Sequence, residues 1–334
     1  MIIDSHAHTV ASPVGPTVGG ALMGIWTVLE ASGDYYGKPA GPPEDDILGG
    51  AERQIRLMDE VGTDIQLTSP RPFVTKNSHQ PGRIVHYWTE INNDVIATQV
   101  AAHPDRLRGI GALPFVHGRP VSEVFEELHR LLELGFVGIV LNPDPAEGLG
   151  GSPLLHDEYW YPLYELMIEH DVPGLLHSSA CYGRENYSEH FISEESLAIN
   201  SIIRGRVFER YPDLKLIIPH GGGSIPYQIG RWLAHDVSMR QIDPGREPYQ
   251  ETLKRFWFDT CLYSEPSLQL LFDTVGTDRV LFGTERPGSG GPYDDLKPVL
   301  EKMTGIDDAD RAAIFEQNAR NVYSRLPADF SAGS

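Results

Sequence analysis

The chain is 334 residues long, and 27 Lys and Arg against 47 Asp and Glu give it a formal charge of −20 at neutral pH. With 40% hydrophobic and 22% charged residues it is too apolar for a disordered chain and too polar for a bundle of membrane helices. The acidic excess excludes a nucleic-acid partner, which requires basic surface to displace counterions from phosphates.

Two cysteines, Cys181 and Cys261, cannot build a disulfide framework and read as thiols of a reducing cytoplasm. The segment Met1-Ile2-Ile3-Asp4-Ser5-His6 opens like a strand and lacks the basic and long apolar regions of a signal peptide. Apolar runs such as Phe136-Val137-Gly138-Ile139-Val140-Leu141 fall far short of the ~20 residues that span a bilayer, so neither a membrane nor export is expected.

In chain order, short apolar runs predict strands at Ile2–His6, Ile65–Ser69, Leu107–Pro114, Val137–Asn142, Gly174–Ser178, Lys215–His220, Phe256–Cys261 and Val280–Thr284. Between them lie segments of helical period, for example Val124, Phe125, Leu128, Leu131 and Leu132 on one face. Strands that are apolar throughout rather than alternating belong to a sheet covered on both sides. Eight βα units without an intervening linker predict a single domain over residues 1–334, an α/β chain folded as a (β/α)8 TIM barrel.

The connections at the strands' C-terminal ends should carry the function. The first, Thr9 to Ile47, is rich in Gly and Pro and includes Trp26, Tyr35 and Tyr36; it reads as a lid over the barrel mouth or as an insertion packing on a neighbouring subunit. A second, Ser179 to Ser193, carries Cys181, Tyr182, Arg184, Tyr187 and His190, and a third is the Gly/Pro stretch from Arg286 to Pro292.

The chemistry starts at Asp4-Ser5-His6-Ala7-His8, where residues i and i+2 of a strand point to one side and present two imidazoles together. That pattern suits a metal held by neutral imidazole nitrogen. His177 and His220 end two further strands, and Glu285 lies just past the eighth. Any one of these alone reads more readily as a satisfied core histidine, but five converging on one barrel face read as a metal site. Gly221-Gly222-Gly223 after His220 lets backbone approach closely. Asp259 either orients a histidine or caps the turn after its strand. Neither cysteine has a partner that would make it a nucleophile.

His-x-His after strand one, His after strands five and six, and an acid after strand eight resemble the amidohydrolase superfamily. Leu141-Asn142-Pro143-Asp144-Pro145, Ile218-Pro219-His220-Gly221-Gly222-Gly223, Phe258-Asp259-Thr260-Cys261 and Asn318-Ala319-Arg320-Asn321-Val322-Tyr323 are similar to its branch of 4-oxalomesaconate hydratases and non-oxidative decarboxylases of aromatic and muconate acids. The superfamily pattern has Asp where this chain has Glu285, a departure shared with the hydratases. Binuclear members carry a bridging Lys at the end of strand four, whereas this chain has Asn142, so the resemblance implies one ion. The implied ligands are His6, His8, His177 and Glu285, a set that suits Zn2+ and also admits Mn2+.

The resemblance further implies a homo-oligomer, dimer or larger, and a small substrate with several carboxylates. Glu285 is then the base that takes a proton from water, and His220 the acid or electrophile that supports charge on the substrate carbonyl. Arg71 after strand two is the first choice for holding a carboxylate, with Asn142 and Arg231 as further substrate contacts and Arg286 as a weaker one. Addition of water to an unsaturated keto acid is the expected reaction. The alternatives are decarboxylation of a hydroxybenzoate or aminocarboxymuconate-type acid, hydrolysis of a lactone, and a barrel that binds small acids without turnover.

Overall fold

A computed structural model of the chain describes residues 1–9, 18–33, 37–288 and 296–330. Eight strands form one parallel sheet in sequence order: β1 (Ile3–His8), β2 (Ile65–Ser69), β3 (Leu107–Ala112), β4 (Gly138–Leu141), β5 (Gly174–Leu176), β6 (Leu216–Ile218), β7 (Trp257–Asp259) and β8 (Val280–Leu281). The ring closes between β8 and β1, where the Ser5 N–H donates to the Phe282 carbonyl at 2.8 Å and the Glu285 N–H to the His6 carbonyl at 2.7 Å. All eight predicted strands are present, and the (β/α)8 barrel is the fold.

The helices are α1 (Val18–Ser32), α2 (Glu44–Val61), α3 (Gly82–Ala102), α4 (Phe125–Glu133), α5 (Tyr161–Glu169), α6 (Tyr187–Arg204), α7 (Val207–Arg210), α8 (Ile229–Ile242), α9 (Tyr249–Leu253), α10 (Glu265–Val275), α11 (Lys297–Lys302), α12 (Asp308–Ala312) and α13 (Asn318–Val322). Among the described residues no helix is long and apolar enough to cross a membrane.

The two-residue period of the strands divides their side chains between two cores. Ile139 and Leu141, Leu176, Leu216 and Ile218, and Phe256 and Phe258 pack outward against helix residues such as Leu128, Leu163 and Ile199. Val140, Leu175, Ile217, Trp257 and Leu281 point into the barrel, where Ala319, Val322 and Tyr323 join them from the C-terminal segment. Because the interior is filled by apolar side chains, residues two places further along each strand emerge at its C-terminal end. His177 follows Leu175 in this way, and Asp259 follows Trp257.

The described part of the first long connection contains a helix that its composition does not suggest. Within Thr9–Ile47, α1 buries Leu22, Trp26 and Leu29 against Ile47 of α2 and Ile84, Trp88, Ile91 and Val95 of α3. The i, i+4, i+7 spacing of those three residues is a helix signal that the flanking Gly and Pro obscured. Pro13, Pro16, Tyr35 and Tyr36 lie outside the described residues, as do residues 289–292 of the third connection.

Candidate metal centre and active site

His6 and His8 stand on β1, whose register against β2 shifts between Asp4 and Ala7. His177 joins them from the end of β5, and a ligand nitrogen from each of the three lies within 4.8 Å of the others. Each ring is held from its outer nitrogen. His6 Nδ1 is 2.6 Å from Asp259 Oδ2, His8 Nδ1 is 3.0 Å from Ser69 Oγ, and His177 Nδ1 is 2.9 Å from the Ser178 carbonyl. Such contacts fix tautomer and orientation, leaving the other nitrogen to bind an ion.

The structure tests that reading at Nε2. Among the described residues, His6 Nε2 and His177 Nε2 are buried without a hydrogen-bond partner, an arrangement costly for polar atoms unless something else satisfies them. Burial and the neighbouring imidazoles also push His8 well below the ordinary histidine range, and burial followed by His220 and His6 does the same to His177. Both are therefore neutral, the form that coordinates a cation. Nitrogen donors of this kind fit a divalent metal.

The floor of the centre is made close by Gly283. A Cβ there would stand 3.0 Å from His6 Cβ, 3.2 Å from Cys261 Sγ and 3.3 Å from Asp259 Cβ. Asp259 does both things its position allowed: Oδ2 holds His6, while Oδ1 accepts the Cys261 N–H at 3.0 Å and the Gly221 N–H at 3.3 Å. Deeper still, the buried Asp4 carboxylate accepts Gln66 Nε2 at 2.9 Å, Thr284 Oγ1 at 2.6 Å and the Thr284 N–H at 3.0 Å, tying β1 to β2 and to the residue before Glu285.

Glu285 stands beside the three histidines. Its Oε1 is 3.9 Å from His220 Nε2, and its Oε2 accepts the Tyr263 hydroxyl. The His220 ring lies 5.3 Å from that of His6 and 5.1 Å from that of His177. Burial raises Glu285 toward the neutral form, but His220 and then His6 and His8 outweigh it and hold the carboxyl well below its usual range. The converse holds at His220, where burial is outweighed by Glu195 and Glu285, which raise its affinity for a proton. A proton-holding imidazole and an ionised carboxylate thus face each other beside the cluster of His6, His8 and His177.

Arg71 reaches the same mouth. Its Nη2 donates to the Pro287 carbonyl, joining the loop after β2 to that after β8, and it lines a mainly apolar cavity of about 230 Å3 with Thr9, Leu22, Met23 and Trp88. Asn142 is engaged in architecture. Its Nδ2 donates to Asn77 Oδ1 at 2.7 Å and Ser179 Oγ at 2.9 Å, and its Oδ1 accepts the Asp144 N–H at 3.0 Å. Arg231 is not brought to the centre; it is exposed on α8 and lines a separate cleft with Gln228, Trp232, Ala234 and His235. Arg286 donates its N–H to Thr284 Oγ1 at 3.1 Å.

Sequence reasoning missed Ser69, Tyr263 and Glu195. Ser69 ends a strand beside β1 and was findable from barrel order. Tyr263 and Glu195 lie in a turn and a helix, and no spacing rule marks them.

Residues 3–325 match the Amidohydrolase family. The chain is 33% identical to a 2-keto-4-carboxy-3-hexenedioate hydratase of Sphingobium sp., covering 99% of this chain and 98% of the relative. The crystal structure of 4-oxalomesaconate hydratase from Rhodopseudomonas palustris superposes with a TM-score of 0.85 at 31% identity, covering 98% and 96% of the two chains. A gamma-resorcylate decarboxylase of Polaromonas sp. is 27% identical over 89% of this chain and 94% of its own. The protein belongs to the amidohydrolase family.

Proposed function

We propose that this protein is a metal-dependent lyase that hydrates 4-oxalomesaconate, or a close unsaturated keto acid, to 4-carboxy-4-hydroxy-2-oxoadipate in the catabolism of protocatechuate-like aromatic acids. The observation that carries the reading is the Glu285–His220 pair set beside the clustered imidazoles of His6, His8 and His177 in a chain similar over its whole length to two hydratases. His6, His8, His177 and Glu285 hold one ion, zinc by ligand type with manganese as the other candidate. Such an ion polarises substrate oxygens and makes water more acidic.

In a keto acid whose alkene is conjugated to the ketone, such as 2-keto-4-carboxy-3-hexenedioate, conjugate addition places the water oxygen on the alkene carbon β to the ketone and a proton on the carbon between. Glu285 takes the water's proton through the oxygen that faces the centre. His220 supports the charge that develops on the ketone oxygen, and a proton then returns to the α carbon. Arg71 holds a carboxylate at the rim, where a guanidinium fork binds it in two-pronged fashion. Asn142 holds the loops that shape the rim, and Arg231 belongs to the exposed α8 surface. The same reading makes the enzyme a cytoplasmic homo-oligomer, which light scattering on the purified protein checks.

The test is incubation of zinc-loaded protein with oxalomesaconate while the absorbance of its conjugated chromophore is followed. Loss of absorbance without carbon dioxide release is the expected result, and an unchanged spectrum would sink the substrate assignment. Release of carbon dioxide would favour the decarboxylase reading, which similarity to the gamma-resorcylate enzyme supports. Glu285→Gln is expected to lower turnover by about 100-fold or more.

A further inference from the structure

His220 sits in an unusual piece of backbone. It has φ +49°, and Gly221, Gly222 and Gly223 that follow it have φ +61°, +89° and +61°. This turn is pressed against α6. A Cβ on Gly223 would meet Ser196 Oγ at 2.6 Å and the Ile192 carbonyl at 2.7 Å, and a Cβ on Gly222 would lie 3.6 Å from Ile199 Cδ1. The Ser224 N–H donates to Ser196 Oγ at 2.9 Å, stitching turn and helix together.

The same face of α6 grips the imidazole. Phe191 stacks on it with ring centroids 4.4 Å apart and planes 29° from parallel. One helical turn later, Glu195, fully buried, brings Oε1 to 2.7 Å from His220 Nδ1. Positions 191 and 195 are i and i+4, so both contacts come from one side of the helix. One contact fixes the ring plane and the other its rotation. His220 Nε2 is left buried without a hydrogen-bond partner among the described residues, 3.9 Å from Glu285 Oε1.

We infer that α6 is the element that orients the acid of this site, with Glu195 as a positioning residue that holds the Nδ1 proton and aims Nε2 into the centre. Among the described residues its oxygen Oε2 has no hydrogen-bond partner, and the carboxylate makes its one hydrogen bond to His220. A buried group whose hydrogen bonding is spent on one imidazole is hard to explain as packing. The inference rests on His220 being the acid of the proposed hydration, so its test includes a readout that needs no substrate.

Glu195→Gln keeps an oxygen that accepts the Nδ1–H, whereas Glu195→Ala removes it. In zinc-loaded protein, the low-field proton resonance coupled to His220 Nδ1 should persist in E195Q and vanish in E195A. Turnover of oxalomesaconate should fall about 100-fold in E195A and clearly less in E195Q, which keeps the orientation of the ring but not the charge that raises its proton affinity, with KM and bound metal unchanged. Phe191→Leu, which leaves the carboxylate in place, should lower kcat without changing KM and covers the case in which E195A does not fold. The inference is overturned if the Nδ1 resonance survives in E195A, if E195Q loses as much turnover as E195A, or if F191L turns over like the parent. Absence of turnover in the parent would refute the hydration reading alone, because the resonance is read without substrate.

Discussion

At Asp259 a single carboxylate serves three elements. One oxygen orients His6, and the other accepts the Cys261 and Gly221 backbone N–H groups. Asp259→Ala strands all three donors in a buried site. Outer partners of metal-binding histidines are worth about 10–100-fold in metal affinity, so the variant should bind zinc weaker by that factor in competition with a chelator. Unaltered affinity would show that His6 is oriented by packing alone.

Glu194 gives a residue-scale prediction with the opposite electrostatics. It faces Asp144, Glu185 and His190 across the pocket behind α6. Burial, with Asp144 and Glu185 repelling its charge and His190 opposing them, raises its carboxyl from 4.5 to about 7. Between those values the folded chain holds a proton that the unfolded chain has released, so stability falls as pH rises through that window. Glu194→Gln is neutral throughout. Its melting temperature should therefore drop less between pH 5 and pH 8 than that of the parent, and an equal drop would refute the assignment.

Among elements, the strands were the most legible. A run that is buried on both faces reads as apolar throughout, and the period of two then lifts His177 above Leu175 and Asp259 above Trp257. The histidines at strand ends could be found from the sequence because position along a strand determines direction. Helix and loop contributions could not. Glu195 acts across a helix–turn contact, and Asn142 becomes architectural only because the loops after β2 and β5 come within reach of it.

Glu147 shows how those loops are joined. It lies after β4 with φ +53° and is fully buried. Oε1 accepts the Asn77 N–H at 3.0 Å and the Ser179 hydroxyl at 2.8 Å, while Oε2 accepts the Ser78 N–H at 3.0 Å and the Ser78 hydroxyl. Each oxygen thus faces two donors. In Glu147→Gln the amide NH2 opposes a pair of donors whichever way it turns, so a near-isosteric change should cost about 2–4 kcal/mol. The expected result is a lower urea midpoint at unchanged slope. A midpoint equal to the parent's would mean that the mouth loops hold together without this anion.

For the molecule as a whole, the two ends of the barrel are stabilised by different means. The lower interior is apolar, filled by Val140, Leu175, Ile217, Trp257 and Leu281 and closed by Val322 and Tyr323. The upper end gathers imidazoles and carboxylates whose burial is costly unless they are paired. Its charges come from a chain of −20, so a cation at this end, whether the Arg71 side chain or the ion proposed for the centre, is a local exception rather than a reflection of the total. An ion that binds the folded chain and not the unfolded one stabilises it by about 2.7 kcal/mol when present at a hundred times its dissociation constant. Stripping the metal with a chelator, verified by elemental analysis, should therefore lower the melting temperature, and added zinc should restore it. His177→Ala removes a proposed ligand while leaving the lower core intact, so its melting temperature should respond little to either treatment. If complete removal of metal left the parent's melting temperature where it was, the orphaned nitrogens of His6 and His177 would need another partner.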